Sequence, residues 1–101
     1  MSISNVAHEG TWIKVYDERS KKISEMAAHG REIAGIAGEF FVIEEGNWLK
    51  TYDEHCRKIA EMSSNGKTVV ATSGHTLIVK DGIWLNTYDQ NFKKLSIRAA
   101  R

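Results

Sequence analysis

The stretch GNWLKTYDE at residues 46–54 decides the fold, because it occurs three times at a constant interval. Its counterparts are GTWIKVYDE at residues 10–18 and GIWLNTYDQ at residues 82–90, so the three tryptophans lie 36 residues apart. A basic pair and an aliphatic residue repeat in the same register, as Lys21-Lys22-Ile23, Arg57-Lys58-Ile59 and Lys93-Lys94-Leu95. Internal repeats of this length are typical of solenoids, propellers and repeat arrays.

Each unit divides into four short segments, A to D, that are separated by turn residues. In the middle unit these segments are residues 31–38, 39–45, 47–53 and 57–64. Short segments that are rich in β-branched and aromatic side chains predict strands. The glycine that recurs before each Trp segment predicts a tight hairpin turn. The chain starts at segment B and stops after segment D, which predicts about eleven antiparallel strands.

The repeat predicts an all-β protein of one domain, residues 1–101, in which three sheets are related by pseudo-threefold symmetry. The units are a partial repeat at 1–30 and full registers at 31–66 and 67–101. Three blades are fewer than the four to eight that usually close a propeller. Either two chains therefore combine into a six-bladed ring, or one chain closes as a three-sheet β-prism. The first sheet lacks segment A, which leaves an unpaired strand edge. We therefore expect a homo-oligomer and favour a dimer.

Two resemblances follow from these residues. A strand that ends in Tyr-Asp, then a short turn and Lys-Lys-Ile, resembles β-propeller blades in general. The prism alternative resembles the bulb-type mannose lectins, whose three repeats carry Gln-x-Asp-x-Asn-x-Val-x-Tyr. When this pattern is laid on residues 44–52, only Tyr52 matches. The second resemblance implies a lectin-like, carbohydrate-binding fold, but its mannose specificity does not carry over to this chain.

Composition excludes several classes of partner. The charged fraction is 27% and the net charge is +1, so no basic surface predicts binding to nucleic acid or to an anionic membrane. No apolar run approaches the roughly 20 residues of a membrane span. The N-terminal residues lack the pattern of a signal peptide, and the single Cys56 allows no intrachain disulfide. These features predict a cytoplasmic protein.

Alternation along segment C places one aromatic and polar stripe on one face of each sheet. The stripe consists of Trp12, Lys14 and Tyr16, then Trp48, Lys50 and Tyr52, then Trp84, Asn86 and Tyr88. These residues are the candidate ligand-binding residues, because aromatic faces next to a hydrogen-bond donor suit sugars and planar ligands. The alternative, which we prefer from the sequence, is that the aromatic rings fill the space between neighbouring sheets.

The remaining polar residues predict no catalytic or metal site. Asp17, Asp53 and Asp89 recur at a turn, where we expect each to bond turn amides and to pair with Lys22, Lys58 or Lys94. The four histidines show no metal-ligand spacing. His55 and Cys56 are adjacent, but a catalytic pair needs an orienting third group. We therefore expect no cofactor and no metal.

Taken together, the sequence predicts a non-enzymatic binding or protein-interaction module of unknown ligand, for which a small molecule and a carbohydrate are the candidates. The alternatives are an enzyme whose site forms only at a subunit interface, a lectin-like carbohydrate-binding protein, or a purely structural repeat protein. An enzyme is disfavoured because a single active site normally breaks internal symmetry.

Overall fold

The computed structural model describes residues 3–99 and contains eleven β-strands and no helix in that range. The strands are β1 (Asn5–Glu9), β2 (Trp12–Tyr16), β3 (Lys22–Ala27), β4 (Arg31–Ile36), β5 (Phe41–Glu45), β6 (Trp48–Tyr52), β7 (Lys58–Ser63), β8 (Lys67–Ser73), β9 (Thr76–Asp81), β10 (Trp84–Asp89) and β11 (Lys94–Ala99). They form three antiparallel sheets, β1-β2-β3, β4-β5-β6-β7 and β8-β9-β10-β11. We call these the first, middle and third sheets. The predicted all-β class and strand number are confirmed.

The glycine before each tryptophan makes the hairpin that joins the second and third segments of the unit. Gly10, Gly46 and Gly82 have φ angles of 62°, 60° and 63°. Residues with a Cβ atom rarely adopt this left-handed region, which glycine enters without steric cost. The constant glycine fixes the pairing of the two strands, and the tryptophan therefore starts the strand in every unit.

The next hairpin is organised by the recurring aspartate. The Oδ1 atom of Asp17 accepts the backbone N–H groups of Arg19 and Lys21 at 2.9 and 3.0 Å. Asp53 and Asp89 make the same two bonds in the other units. This confirms the expected bonds to turn amides. The expected Asp–Lys pairing is wrong for Lys22 and Lys58, which instead pair with carboxylates three residues later on the same strand.

Alternation gives every sheet two different faces, which we name by the residues of the Trp strand. The stripe face carries the Trp, Lys or Asn, and Tyr positions. The aliphatic face carries Ile13 and Val15 in the first sheet, Leu49 and Thr51 in the middle sheet, and Leu85 and Thr87 in the third. Successive residues of a strand point to opposite sides, so each residue of the Trp strand belongs to only one of the two faces.

The three sheets stack in one row, and at each contact the aliphatic face of one sheet packs on the stripe face of the next. The aliphatic face of the first sheet packs on the stripe face of the middle sheet, in a buried cluster that includes Ile13, Val15, Phe41, Ile43 and Tyr52. The aliphatic face of the middle sheet packs on the stripe face of the third, in a second cluster that includes Val42, Leu49, Leu77, Val79 and Tyr88. The middle sheet is therefore covered on both faces.

The first strand of the middle sheet lies where the sheets approach most closely. Strand β4 contacts both β1 and β8. A Cβ atom added at Gly35 would lie 2.6 Å from Cγ2 of Thr72, so the Thr72 side chain packs directly on the Gly35 backbone. The Thr72 hydroxyl donates to the carbonyl of Ile36 across the same gap. A glycine is therefore needed at position 35, because a larger residue would displace Thr72.

The row leaves two sheet faces uncovered within residues 3–99. They are the stripe face of the first sheet and the aliphatic face of the third, because neither buried cluster joins those two sheets. A three-sheet prism has a third contact between its first and last sheets. Within residues 3–99, the row has two sheet-to-sheet contacts, one on each face of the middle sheet.

Candidate functional site

The three tryptophans share one environment. The exposed fractions of Trp12, Trp48 and Trp84 are 44%, 47% and 46%. Trp12 lies on the uncovered face of the first sheet, whereas Trp48 and Trp84 lie on faces that another sheet covers. Since Trp48 and Trp84 are as exposed as Trp12, their indoles lie beyond the margin of the sheets that cover their faces. The preferred interpretation from the sequence, that these rings fill the space between sheets, is therefore wrong for the tryptophans.

Strand pairing explains this exposure. Each tryptophan begins its strand next to the glycine turn, at the end of the sheet. Its neighbour on one side is acidic in all three units, namely Glu9, Glu45 and Asp81. Its neighbour on the other side is small, namely Ala27, Ser63 and Ala99. The alanine and serine side chains are too short to cover an indole, and each tryptophan stays nearly half exposed.

The tyrosines of the stripe are different, because they lie further along the strand. Tyr52 and Tyr88 are buried between sheets. Tyr52 stacks on Phe41 with ring centroids 5.6 Å apart, and Tyr88 packs edge-on to Phe92 at 6.1 Å. Burial raises the pKa of Tyr88 above its usual range. For these two rings, the packing interpretation is confirmed.

Tyr16 is the tyrosine of the stripe that no other sheet covers, because it lies on the open face of the first sheet. Its hydroxyl donates to Oε2 of Glu9 at 2.8 Å. This bond to a carboxylate is the main cause that raises the pKa of Tyr16. Lys14 lies 3.5 Å from the other oxygen of Glu9. The open stripe face of the first sheet therefore presents an aromatic surface together with a short polar network.

The middle position of the stripe carries a cation in two units. Lys50 and Arg31 lie 3.1 and 3.2 Å from the same Glu45 oxygen. These bonds, first that from Lys50 and then that from Arg31, lower the pKa of the Glu45 carboxyl. In the third unit Asn86 replaces the lysine and is buried, and its Oδ1 atom has no hydrogen-bond partner. A charged residue therefore occupies this position in two of the three units.

The structure thus separates the nine predicted site residues into three groups of three, which are exposed, buried or intermediate. The exposed group is a row of three tryptophans, which we call the Trp row, each with an acidic neighbour at the same end of its sheet. The buried group contains Tyr52, Tyr88 and Asn86, which pack between sheets and are not available to a ligand. Lys14, Tyr16 and Lys50 lie between these extremes. The Trp row presents indole faces and neighbouring carboxylates, which can make aromatic contacts and hydrogen bonds.

Cys56 is the strongest candidate for reactivity outside the row. Its Sγ atom lies 3.2 Å from Oγ of Ser24, in the packing between the first and middle sheets. Burial raises the pKa of the Cys56 thiol, which is the opposite of the shift that activates a nucleophile. The neighbouring His55 imidazole is 4.0 Å from Glu54 and points to solvent. His55 and Cys56 therefore belong to a turn, and the Cys56 side chain packs on Ser24.

One depression in the surface lies close to the Trp row. A shallow depression beside the first hairpin is lined by His8, Gly10, Thr11, Ala28 and His29. It adjoins the turn that leads to Trp12 and lies at the same end of the sheet. Within residues 3–99, no group of three or more His, Cys, Asp or Glu side chains is placed to hold a metal ion.

Comparisons with protein-family models, with curated proteins and with solved structures found no match to this chain. The same described range, residues 3–99, contains no helix long and apolar enough to cross a membrane.

Proposed function

We propose that the protein is a non-enzymatic binding module and that the Trp row is its contact surface. The supporting observation is that the three indoles are equally exposed, although Trp48 and Trp84 lie on sheet faces that another sheet covers. A large aromatic side chain loses burial energy when it stays half in water. Its repetition at one end of all three sheets is explained by a role in contact with a ligand.

The ligand class that fits best is an oligosaccharide. Its repeating units present apolar faces to aromatic rings and hydroxyl groups to carboxylates, ammonium groups and amides. The row offers both kinds of partner, since each indole lies beside Glu9, Glu45 or Asp81. The pattern of mannose-binding lectins is missing from the sequence, so the specificity is for another sugar.

The test is a titration of the protein with soluble cello-oligosaccharides and chito-oligosaccharides, followed by tryptophan fluorescence. We expect saturable binding, and we expect Trp12→Ala, Trp48→Ala and Trp84→Ala each to weaken it about tenfold, which is about 1.4 kcal/mol. Ile83→Ala is the matched control, because Ile83 is an exposed apolar residue at the third hairpin that has polar counterparts in the other units. No binding to either series, or equal affinity of the Trp and control variants, would overturn the proposal.

The two alternatives to this function, an enzyme with a site at a subunit interface and a purely structural repeat protein, remain predictions. The same holds for the cytoplasmic location.

A further inference from the structure

We infer that a second copy of this chain closes the row. The aliphatic face of the third sheet packs on the stripe face of the first sheet of the second copy, and the reverse contact forms in the same dimer. The product is a ring of six sheets with twofold symmetry. The inference does not depend on the sugar proposal, because the Trp row lies beyond the margin of the packed faces.

The two contacts within the chain are the template for this third contact. Both join an aliphatic face to the stripe face of the next sheet, in the same direction along the chain. The two faces left uncovered are one of each kind. A second copy therefore supplies the type of surface that each uncovered face already meets elsewhere in the molecule. A third sheet cannot reach the first sheet of its own chain, because the middle sheet lies between them.

The aliphatic face of the third sheet is built as an interior surface. Leu85 corresponds to Leu49, which is buried, and Ile78 corresponds to Val42, which is also buried. In the third sheet the same positions are partly open to solvent. Val70 and Leu95 lie beside them and are 50% and 53% exposed. Exposed apolar side chains grouped on one face in this way mark an interaction site.

A hydrogen bond between neighbouring sheets gives the closing contact a defined geometry. The Ser24 hydroxyl donates to the carbonyl of Glu54 at 2.6 Å, from the first sheet to the middle one. The Thr51 hydroxyl donates to the carbonyl of Gln90 at 2.7 Å, from the middle sheet to the third. Each acceptor lies in the Asp turn of the receiving sheet.

The third sheet retains both donor positions on its uncovered face. Ser96 corresponds to Ser24, Thr87 corresponds to Thr51, and the two residues are paired across β10 and β11. The acceptor that corresponds to Glu54 and Gln90 is the carbonyl of Glu18. We therefore expect a hydroxyl of the third sheet to bond Glu18 of the second copy.

The stripe face of the first sheet is more polar than the stripe face of the middle sheet, and this difference weakens the expected contact. Asn5 and Ala7 stand where the middle sheet has Phe41 and Ile43. The aliphatic face of the third sheet is also more polar than that of the middle sheet, since Arg98 stands where the middle sheet has Met62. We therefore expect a dimer that dissociates on dilution rather than a permanent one.

A cysteine pair tests the geometry directly. Ser24 and Cys56 are in contact across the first and middle sheets at 3.2 Å. By the repeat, the same contact across the closing interface joins Ser96 of one copy to Ser20 of the other. Ser20 has the same φ of 62° as Cys56, so the position accepts a cysteine. The variant is Ser96→Cys with Ser20→Cys and Cys56→Ser.

We expect this variant to form a disulfide-linked dimer under mild oxidation with oxidised glutathione, seen on a non-reducing gel. Ser24→Cys in the natural sequence is the positive control, because it should form an intrachain disulfide with Cys56. Ser20→Cys and Ser96→Cys alone, each with Cys56→Ser, are the negative controls.

Three outcomes overturn the inference. The first is no cross-link in the double variant while the positive control closes. The second is a cross-linked dimer from Ser96→Cys alone, which would show third sheets packed face to face. The third is a ladder of multimers, which would show an open chain of copies instead of a closed ring.

Discussion

Truncation of Leu49 and of Leu85 in separate variants tests which sheet faces are covered. The two leucines occupy the same position in successive units, but Leu49 is 1% exposed between the middle and third sheets, whereas Leu85 lies on the uncovered face. Leu→Ala removes the equivalent of about three methylene groups, worth about 2.4 kcal/mol in transfer free energy. The unfilled cavity raises the expected loss for Leu49→Ala to about 3–4 kcal/mol.

For Leu85→Ala, the expected loss in the free energy of unfolding is about 1 kcal/mol in dilute solution, because no neighbouring sheet creates a cavity there. The loss should grow with protein concentration, because binding that needs the folded state stabilises it by mass action. Urea unfolding followed by tryptophan fluorescence, at about 1 μM and about 100 μM protein, measures both variants. Equal losses for Leu49→Ala and Leu85→Ala at the lower concentration would refute the open row. A loss below about 1 kcal/mol for Leu49→Ala would refute the stacking of the middle and third sheets.

Three further predictions concern single side chains. Trp48→Ala should cost about 2 kcal/mol in urea unfolding, half the range for a buried indole, and a loss above about 4 kcal/mol would show that Trp48 is interior. Asn86→Leu should raise the free energy of unfolding by about 1 kcal/mol because it removes a buried unpartnered acceptor, and a lower stability would show that Oδ1 has a partner. Glu45→Gln should be less stable than the natural protein at pH 7. Because the folded-state pKa of Glu45 lies below its unfolded value, that difference should shrink as the pH falls through the folded pKa. A difference in urea midpoint that is unchanged at pH 3 would contradict it.

The strands could be predicted from the sequence because each rests on a local signal. Glycine at one register sets each hairpin, and period-two alternation sets which residues share a face. The Asp17 turn was likewise local, since its carboxylate bonds amides two and four residues later. The same glycine and aspartate recur in all three units, so the prediction for one unit is supported by the other two.

The exposure of the stripe could not be predicted in the same way. Alternation assigns Trp48 and Tyr52 to one face, but it does not say where the neighbouring sheet ends. The structure shows that the covering sheet reaches Tyr52 and stops short of Trp48. The acidic strand partner of each tryptophan was the available signal, because a carboxylate beside an indole predicts contact with water.

The burial of Asn86 and the pairing of Lys22 also depended on packing. Asn86 occupies a position that holds a partly buried lysine in the first two units, and nothing in its neighbours predicts that it is buried without a partner. Lys22 reaches Glu25 on its own strand at 2.8 Å. That distance depends on the register shift between β2 and β3, which the sequence does not display.

The mass of the protein in solution is the most direct test of the uncovered faces. Sedimentation equilibrium over a range from about 1 μM to about 1 mM covers the strength expected of a polar closing contact. The chain mass is 11.4 kDa. We predict a rise from that value at low concentration to a plateau at twice that value. A mass that stays at 11.4 kDa up to the highest concentration, or one that rises past the dimer without a plateau, would contradict the closed ring of six sheets.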